Sequence, residues 1–161
     1  MTGTLAGLLQ SLENSALAET IRQSSWLYPT LEIVHILGIV LLVGPAFLFD
    51  LRLLGHSHTI LVKDLAQYLL PWSRRGFYLI LPSGILLFST NAVALALDPV
   101  FHIKMIALGI GLLNAGAFHL FVYPSSSGWA HNGIPTPAKV IALLSMLAWL
   151  LVITCGRLLA Y

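Results

Sequence analysis

Long uninterrupted runs of apolar residues dominate the chain. Four of them, at residues 29–54, 76–97, 99–123 and 137–159, are long enough to form transmembrane helices, each of which needs about 20 mostly apolar residues. Pro29, Pro99 and Pro137 begin three of the runs, where proline suits the first helical turn, and Gly55 follows the first run in the position of a helix C-cap. The pattern predicts an all-α integral membrane protein, a four-helix bundle.

The first 25 residues have a different pattern. Apolar side chains recur at helical spacing with polar residues between them, at Leu5, Leu8, Leu9 and Leu12. This predicts an amphipathic helix that lies on the membrane surface before the bundle, broken in two near Asn14. Since no Lys or Arg precedes Arg22, the basic region of a signal peptide is missing, and we expect this segment to stay in the mature protein. Residues 1–161 are expected to form one membrane domain.

Basic residues are distributed unequally between the two ends of the predicted helices. One side carries Arg52, Lys63, Arg74, Arg75 and Lys139, and the other carries Arg22, Lys104 and Arg157. Short loops rich in Lys and Arg stay in the cytoplasm. We therefore expect a multi-pass protein of the bacterial inner membrane with both termini outside, and we interpret Asp50 and Arg52 as part of the charge cluster that sets this orientation.

Composition narrows the class of function. Only 9% of the residues are charged, against about 25% in an ordinary soluble domain. The eight Lys and Arg against six Asp and Glu give a net charge of +2, too little for the basic face that nucleic-acid binding requires. The single cysteine, Cys155, excludes an internal disulfide, and the chain has no Cys-x-x-Cys-His motif for covalent haem.

Two histidines are the strongest candidates for chemistry. An ionisable side chain in the bilayer costs about 2.5–3.5 kcal/mol on insertion scales and marks a functional candidate. His35 and His102 lie about 9 Å and about 4.5 Å along their helices from the outer surface, at a 1.5 Å rise per residue. Two imidazoles from different helices at one depth are what axial ligation of haem b requires. We predict this pair as the haem ligands, with His35 the first choice.

Other residues extend or qualify this site. Gly38 and Gly109 would let a flat ligand approach the helix backbones, although such glycines equally serve helix packing. Lys104 is a candidate partner for a haem propionate, with a lysine that merely extends to the interface as the alternative. His119 lies near the inner surface, so a second haem through His119 and either His56 or His58 is a weaker prediction; the alternative is that the loop histidines are solvated.

The motifs His35-Ile-Leu-Gly38, Phe101-His-Ile-Lys104 and Phe118-His119, with residues 50–55 at the end of the first helix, carry a resemblance. The chain resembles an uncharacterised family of small four-helix bacterial membrane proteins over most of its length. More distantly, it is similar to the membrane protoporphyrinogen oxidases, which bind haem b, and to copper-resistance D-type membrane proteins. That similarity implies haem b rather than copper, but the sequence departs from the oxidases: His119 is further from Lys104 than the similarity leads us to expect, and inserted charged loops are absent.

These observations predict a small membrane b-type cytochrome that relays electrons between a quinone pool or an external redox partner and haem. If the protein is an enzyme, we expect a membrane oxidoreductase. The metal-ligating residues would be His35 and His102, with His119 in the second-haem alternative. The competing class is a non-redox membrane protein, either a copper or metabolite permease or a scaffold subunit. The lipid bilayer is the expected partner in both classes, and both a monomer and a homo-oligomer are compatible with the sequence.

Overall fold

The computed structural model describes residues 3–56, 59–124, 129 and 133–159. These residues contain helices and no strand, in the order α1 (Gly3–Glu13), α2 (Ala16–Gln23), α3 (Leu27–Leu53), α4 (Val62–Ser89), α5 (Ala92–Leu97), α6 (Pro99–Ala117), a π-helical turn (Phe118–Val122) and α7 (Thr136–Leu158). The prediction of an all-α protein is confirmed for this part of the chain.

Three of the helical segments are long and apolar enough to cross a membrane: Leu27–Leu53, Pro99–Val122 and Thr136–Leu158. Most of their apolar side chains face outward; Leu113 and Phe121, for example, are 76% and 78% exposed. Large exposed apolar surfaces of this kind suit a hydrocarbon solvent. The protein therefore has the character of a multi-pass membrane protein that contacts a lipid bilayer.

The helix α4 differs from the predicted second span at residues 76–97. It begins 14 residues earlier, at Val62, and ends at Ser89, after which α5 is a separate short helix. Its first half is amphipathic, since Val62, Ala66 and Leu69 are buried on one face, and such a helix escapes a search for unbroken apolar runs. It ends where the hydroxyls of Ser89 and Thr90 bond to nearby main-chain carbonyls, a competition that weakens helices.

Local signals at two other helix ends act as the sequence indicates. Gly55 has a φ of 106°, and the main-chain bonds from Gly55 to Arg52 and from His56 to Leu51 form a Schellman C-cap after α3. The Asp98 carboxylate accepts a hydrogen bond from the Val100 amide at 2.7 Å, which caps α6, and Pro99 occupies its first turn.

The helices α3 and α4 are antiparallel and pack almost backbone to backbone. A Cβ on Gly76 would lie 2.7 Å from the Gly38 carbonyl oxygen, and a Cβ on Gly38 would lie 2.8 Å from the Ile80 side chain. The Ser73 hydroxyl donates to the Leu42 carbonyl across the same interface. Small residues permit this approach, which dispersion forces then stabilise.

The remaining helix contacts form an open series and do not close into a ring. Within the described residues, α3 packs on both α4 and α7, and α7 packs on α6, whereas α4 and α6 form no comparable interface. A closed four-helix bundle is therefore not confirmed. The core lies at one end of this assembly, where α3, the start of α4, the π-helical turn and the start of α7 meet, at Phe49, Leu53, Val62, Ala66, Leu69, Phe118, Trp129, Ala138 and Ala142.

Candidate functional site around His35

His35 lies on the face of α3 that packs against α4 and is half-buried there. Its Nδ1 is 2.9 Å from the Ser83 hydroxyl oxygen, which is itself 2.5 Å from the Leu79 carbonyl oxygen in the preceding turn of α4. A hydroxyl has one proton, and because the Leu79 carbonyl is the nearer neighbour we assign that proton to it, so that Ser83 accepts from the Nδ1–H of His35. This tautomer leaves the lone pair on Nε2, the nitrogen with which histidine binds a metal.

The imidazole depends on a glycine beneath it. A Cβ on Gly84 would lie 3.1 Å from Cε1 of His35 and 3.6 Å from its Nδ1. With any larger residue at this position, the imidazole would have to shift by a few tenths of an ångström. The glycine thus leaves room for the imidazole, and sequence reasoning missed it because the interhelical register that brings residues 35 and 84 together is not visible locally.

Gly38 and Gly109, the two glycines predicted to border a cofactor, have different surroundings. Gly38 is buried against Leu79 and Ile80, so it serves the α3–α4 interface, the packing alternative that the sequence left open. A Cβ on Gly109 would meet nothing within 4 Å. Of the two, only Gly109 presents open backbone.

Lys104 extends from α6 toward α7 and α3. Its Nζ lies 3.8 Å from the position of a Cβ on Gly156, and its charge acts electrostatically on His35. Ala107 and Gly111, one and two turns further along α6, are buried on the same side. The lysine therefore belongs to the helix face that meets α7 and is oriented into the assembly.

His102 is not brought together with His35. It is exposed, and its Nε2 lies 3.0 Å from the Ala96 carbonyl oxygen at the corner between α5 and α6. Residues two apart on a helix point to opposite sides, so the inward orientation of Lys104 turns His102 outward. The structure places the two predicted haem ligands in separate environments.

The inner histidines do not form a ligand pair in the described residues. His119 lies in the π-helical turn with its ring against those of Phe118 and Tyr123, and His56 is exposed just after α3. His58 lies outside the described residues. No group of three or more His, Cys, Asp or Glu side chains suited to a metal ion occurs in the part of the chain that the structure describes.

Asp50 and Arg52, interpreted from the sequence as part of the charge cluster that sets the orientation, are both buried. They are only 6% and 9% exposed. The Arg52 Nε donates to the Ile60 carbonyl at 2.7 Å, and the Asp50 carboxyl interacts with Ser145 of α7. One further polar atom on each, Oδ2 of Asp50 and Nη1 of Arg52, has no hydrogen-bond partner in the described structure. Asp50 thus meets α7, and Arg52 meets the segment that precedes α4, contacts that sequence position alone does not reveal.

The comparisons with known proteins give one match. The model of a family of unknown function, DUF6644, matches residues 10–161. No curated protein and no solved structure matches the chain. The protein belongs to the DUF6644 family.

Proposed function

We propose that this DUF6644 member is a small membrane b-type cytochrome that binds haem b through Nε2 of His35. The observation that carries the proposal is the hydrogen bond from Nδ1 of His35 to Ser83, which leaves Nε2 available. A metal-ligating histidine nearly always donates its other ring N–H to a protein acceptor, which fixes the tautomer and raises ligand basicity.

The roles of the surrounding residues follow from this arrangement. Bound haem would supply one-electron exchange with a quinone or with a redox partner protein. Ser83 holds the imidazole plane, Gly84 leaves room for it, and Lys104 provides a positive charge on the same side of the assembly. An ammonium group forms charge-assisted hydrogen bonds with carboxylates, so Lys104 is the candidate partner for a haem propionate.

The proposal assigns ligation to one histidine. His102 would have to leave the Ala96 carbonyl and turn inward before it could act as the second ligand. We therefore expect five-coordinate, high-spin iron with His35, and the bis-histidine arrangement becomes the alternative that the spectrum distinguishes. A second haem at His119 finds no support in the contacts of His119 or His56.

We further propose that α4 is a fourth membrane span, with both termini outside the bacterial inner membrane. The support is the α3–α4 interface, in which Gly38, Gly76 and Gly84 align the two helices over several turns. A helix packed along a membrane span lies at the same depth. The basic residues of the α3–α4 region then lie on the cytoplasmic side.

An absorption spectrum of protein purified in detergent from haem-replete cells tests the cytochrome. We expect a Soret band and a pyridine-haemochrome signal in the wild type and in His56→Ala, and the loss of haem in His35→Ala. His102→Ala should leave the spectrum unchanged, whereas a change from low to high spin would restore the bis-histidine arrangement. Haem-free wild type, with the protein otherwise folded, would refute the proposal.

The second candidate is a non-redox permease, and the buried Asp50 favours it. A carboxyl that is 6% exposed and has one oxygen without a partner is the kind of intramembrane group that transport paths contain. Transport by haem-free protein, lost in Asp50→Asn and retained in His35→Ala, would select this candidate.

A further inference from the structure

A groove between α4 and the π-helical turn is separate from the His35 site. Its volume is about 330 Å³, and it is lined by Ala66, Gln67, Leu70, Pro71, Arg74, His119 and Tyr123. No acidic side chain is among these lining residues. The groove therefore combines an apolar wall with hydrogen-bond donors and positive charge.

The charged side of the groove comes from two elements. Arg74 of α4 and His119 of the turn lie within electrostatic range of each other, and no hydrogen bond or ion pair engages the Arg74 guanidinium in the described part of the chain. The turn itself is anchored by Phe118, which is 5% exposed and packs on Phe49. With Phe118 fixed in the core, the neighbouring His119 is held at the groove, where Tyr123 contacts its ring.

The adjacent arginine provides a contrast within the same helix. The Arg75 guanidinium lies 4.6 Å from the ring centroid of Trp72 and is not part of the groove lining. Cation–π contact occupies Arg75, whereas Arg74 lines the groove. Arg74 and Arg75 therefore carry the same charged group in two different places, one at the groove and one against Trp72.

The groove lies at the end of the assembly where a membrane surface is expected. The core cluster beside it contains Leu53, the last residue of α3, and Phe118. Leu120 and Phe121, which follow His119, are 71% and 78% exposed. A basic groove next to an apolar surface of this kind fits a phospholipid, whose headgroup would lie in the groove and whose acyl chains would lie along the apolar surface. Free phosphate has no apolar part that could contact this surface.

We propose that this groove binds the phosphate group of an anionic phospholipid headgroup. The guanidinium fork of Arg74 matches phosphate oxygens bidentately, and His119 and Tyr123 contribute further donors. Basic pockets between membrane helices bind anionic headgroups in this way. The lipid would add contacts between α4 and the turn after α6, beside the core cluster that already contains Ala66 and Phe118.

Native mass spectrometry of the full-length, delipidated protein in detergent tests the proposal with three probes: phosphatidylglycerol, phosphatidylcholine and inorganic phosphate. We expect phosphatidylglycerol to bind most tightly and inorganic phosphate to bind negligibly. Arg74→Gln should weaken phosphatidylglycerol binding about tenfold, the equivalent of about 1.4 kcal/mol, while the matched control Arg75→Gln should leave it unchanged. His119→Gln should weaken it as well.

Three outcomes would overturn the proposal. Equal losses in Arg74→Gln and Arg75→Gln would mean that the basic region acts only through its general charge. Inorganic phosphate binding as tightly as phosphatidylglycerol would identify a soluble anion as the ligand. Equal affinity for phosphatidylcholine would remove the requirement for an anionic headgroup. The measurement does not involve haem, so its failure and the failure of the cytochrome proposal are distinguishable, and His119→Gln keeps it decisive if Arg74→Gln does not fold.

Discussion

Replacing Gly76 with alanine should destabilise the protein through the α3–α4 interface. The new Cβ would lie 2.7 Å from the Gly38 carbonyl oxygen and 2.8 Å from the Leu41 carbonyl carbon, whereas ordinary contact begins at 3.4 Å. Both neighbours are backbone atoms of α3, so no side chain can rotate away. The two helices must separate locally by several tenths of an ångström, which weakens the dispersion contacts along the interface.

The magnitude follows from two opposing effects. Alanine is better than glycine in a helix by about 1 kcal/mol, and overpacking in a tight interface costs about 1–3 kcal/mol or more when the backbone has to move. Gly116→Ala on α6 is the matched control, because its Cβ would meet nothing within 4 Å. This variant should therefore show only the stabilisation that comes from the higher helix propensity of alanine. The difference between the two variants therefore isolates the packing cost.

Thermal unfolding in detergent, followed by tryptophan fluorescence, measures that difference. For a chain of this size, 1 kcal/mol corresponds to about 2–4 °C in Tm, so a packing cost of about 1–3 kcal/mol predicts that Gly76→Ala unfolds about 2–12 °C below Gly116→Ala. Equal Tm values for the two variants would refute the backbone-to-backbone packing of α3 and α4, and with it the register that joins His35 to Ser83.

Two further predictions concern the proposed ligand and the topology. Ser83→Ala removes the acceptor for Nδ1–H of His35, and we expect haem affinity in titrations of the apoprotein to fall about tenfold or more, with Ser83→Thr retaining most of it; an unchanged affinity in Ser83→Ala would contradict the assigned tautomer. In a Cys155→Ser background, cysteines introduced at Ser57 and Ser127 should both resist membrane-impermeant labelling in intact cells, because both belong to the side richer in Lys and Arg; labelling of either from outside would overturn the proposed orientation.

The limits of sequence reasoning are clearest at the two predicted haem ligands. The rarity of ionisable side chains in the apolar runs identified both His35 and His102 as candidates. The surroundings of the two histidines differ. His35 faces α4, which carries Ser83 and Gly84, whereas His102 lies two residues from Lys104, on the other side of α6. The spacing of His102 and Lys104 was available in the sequence, but only the helix contacts show which of the two faces inward.

What the sequence determined by itself is the part of the structure that local chemistry controls. Apolar runs of membrane-spanning length produced three of the long helices within a few residues of the predicted bounds, and Gly55, Asp98 and Pro99 ended or began helices through their own backbone preferences. These effects act within one or two turns, so they can be read from the order of residues.

Only the tertiary structure decided which helices meet and what each face contacts. The amphipathic start of α4 becomes a helix against the core at the end of α3, and Gly38 becomes a packing residue because Ile80 lies over it. Asp50 and Arg52 are buried, Asp50 against Ser145 of α7 and Arg52 against Ile60. Each outcome depends on contacts between residues distant in the chain. In an apolar helix nearly every face is hydrophobic, so the pattern of residues carries little information about which face packs on protein and which meets lipid.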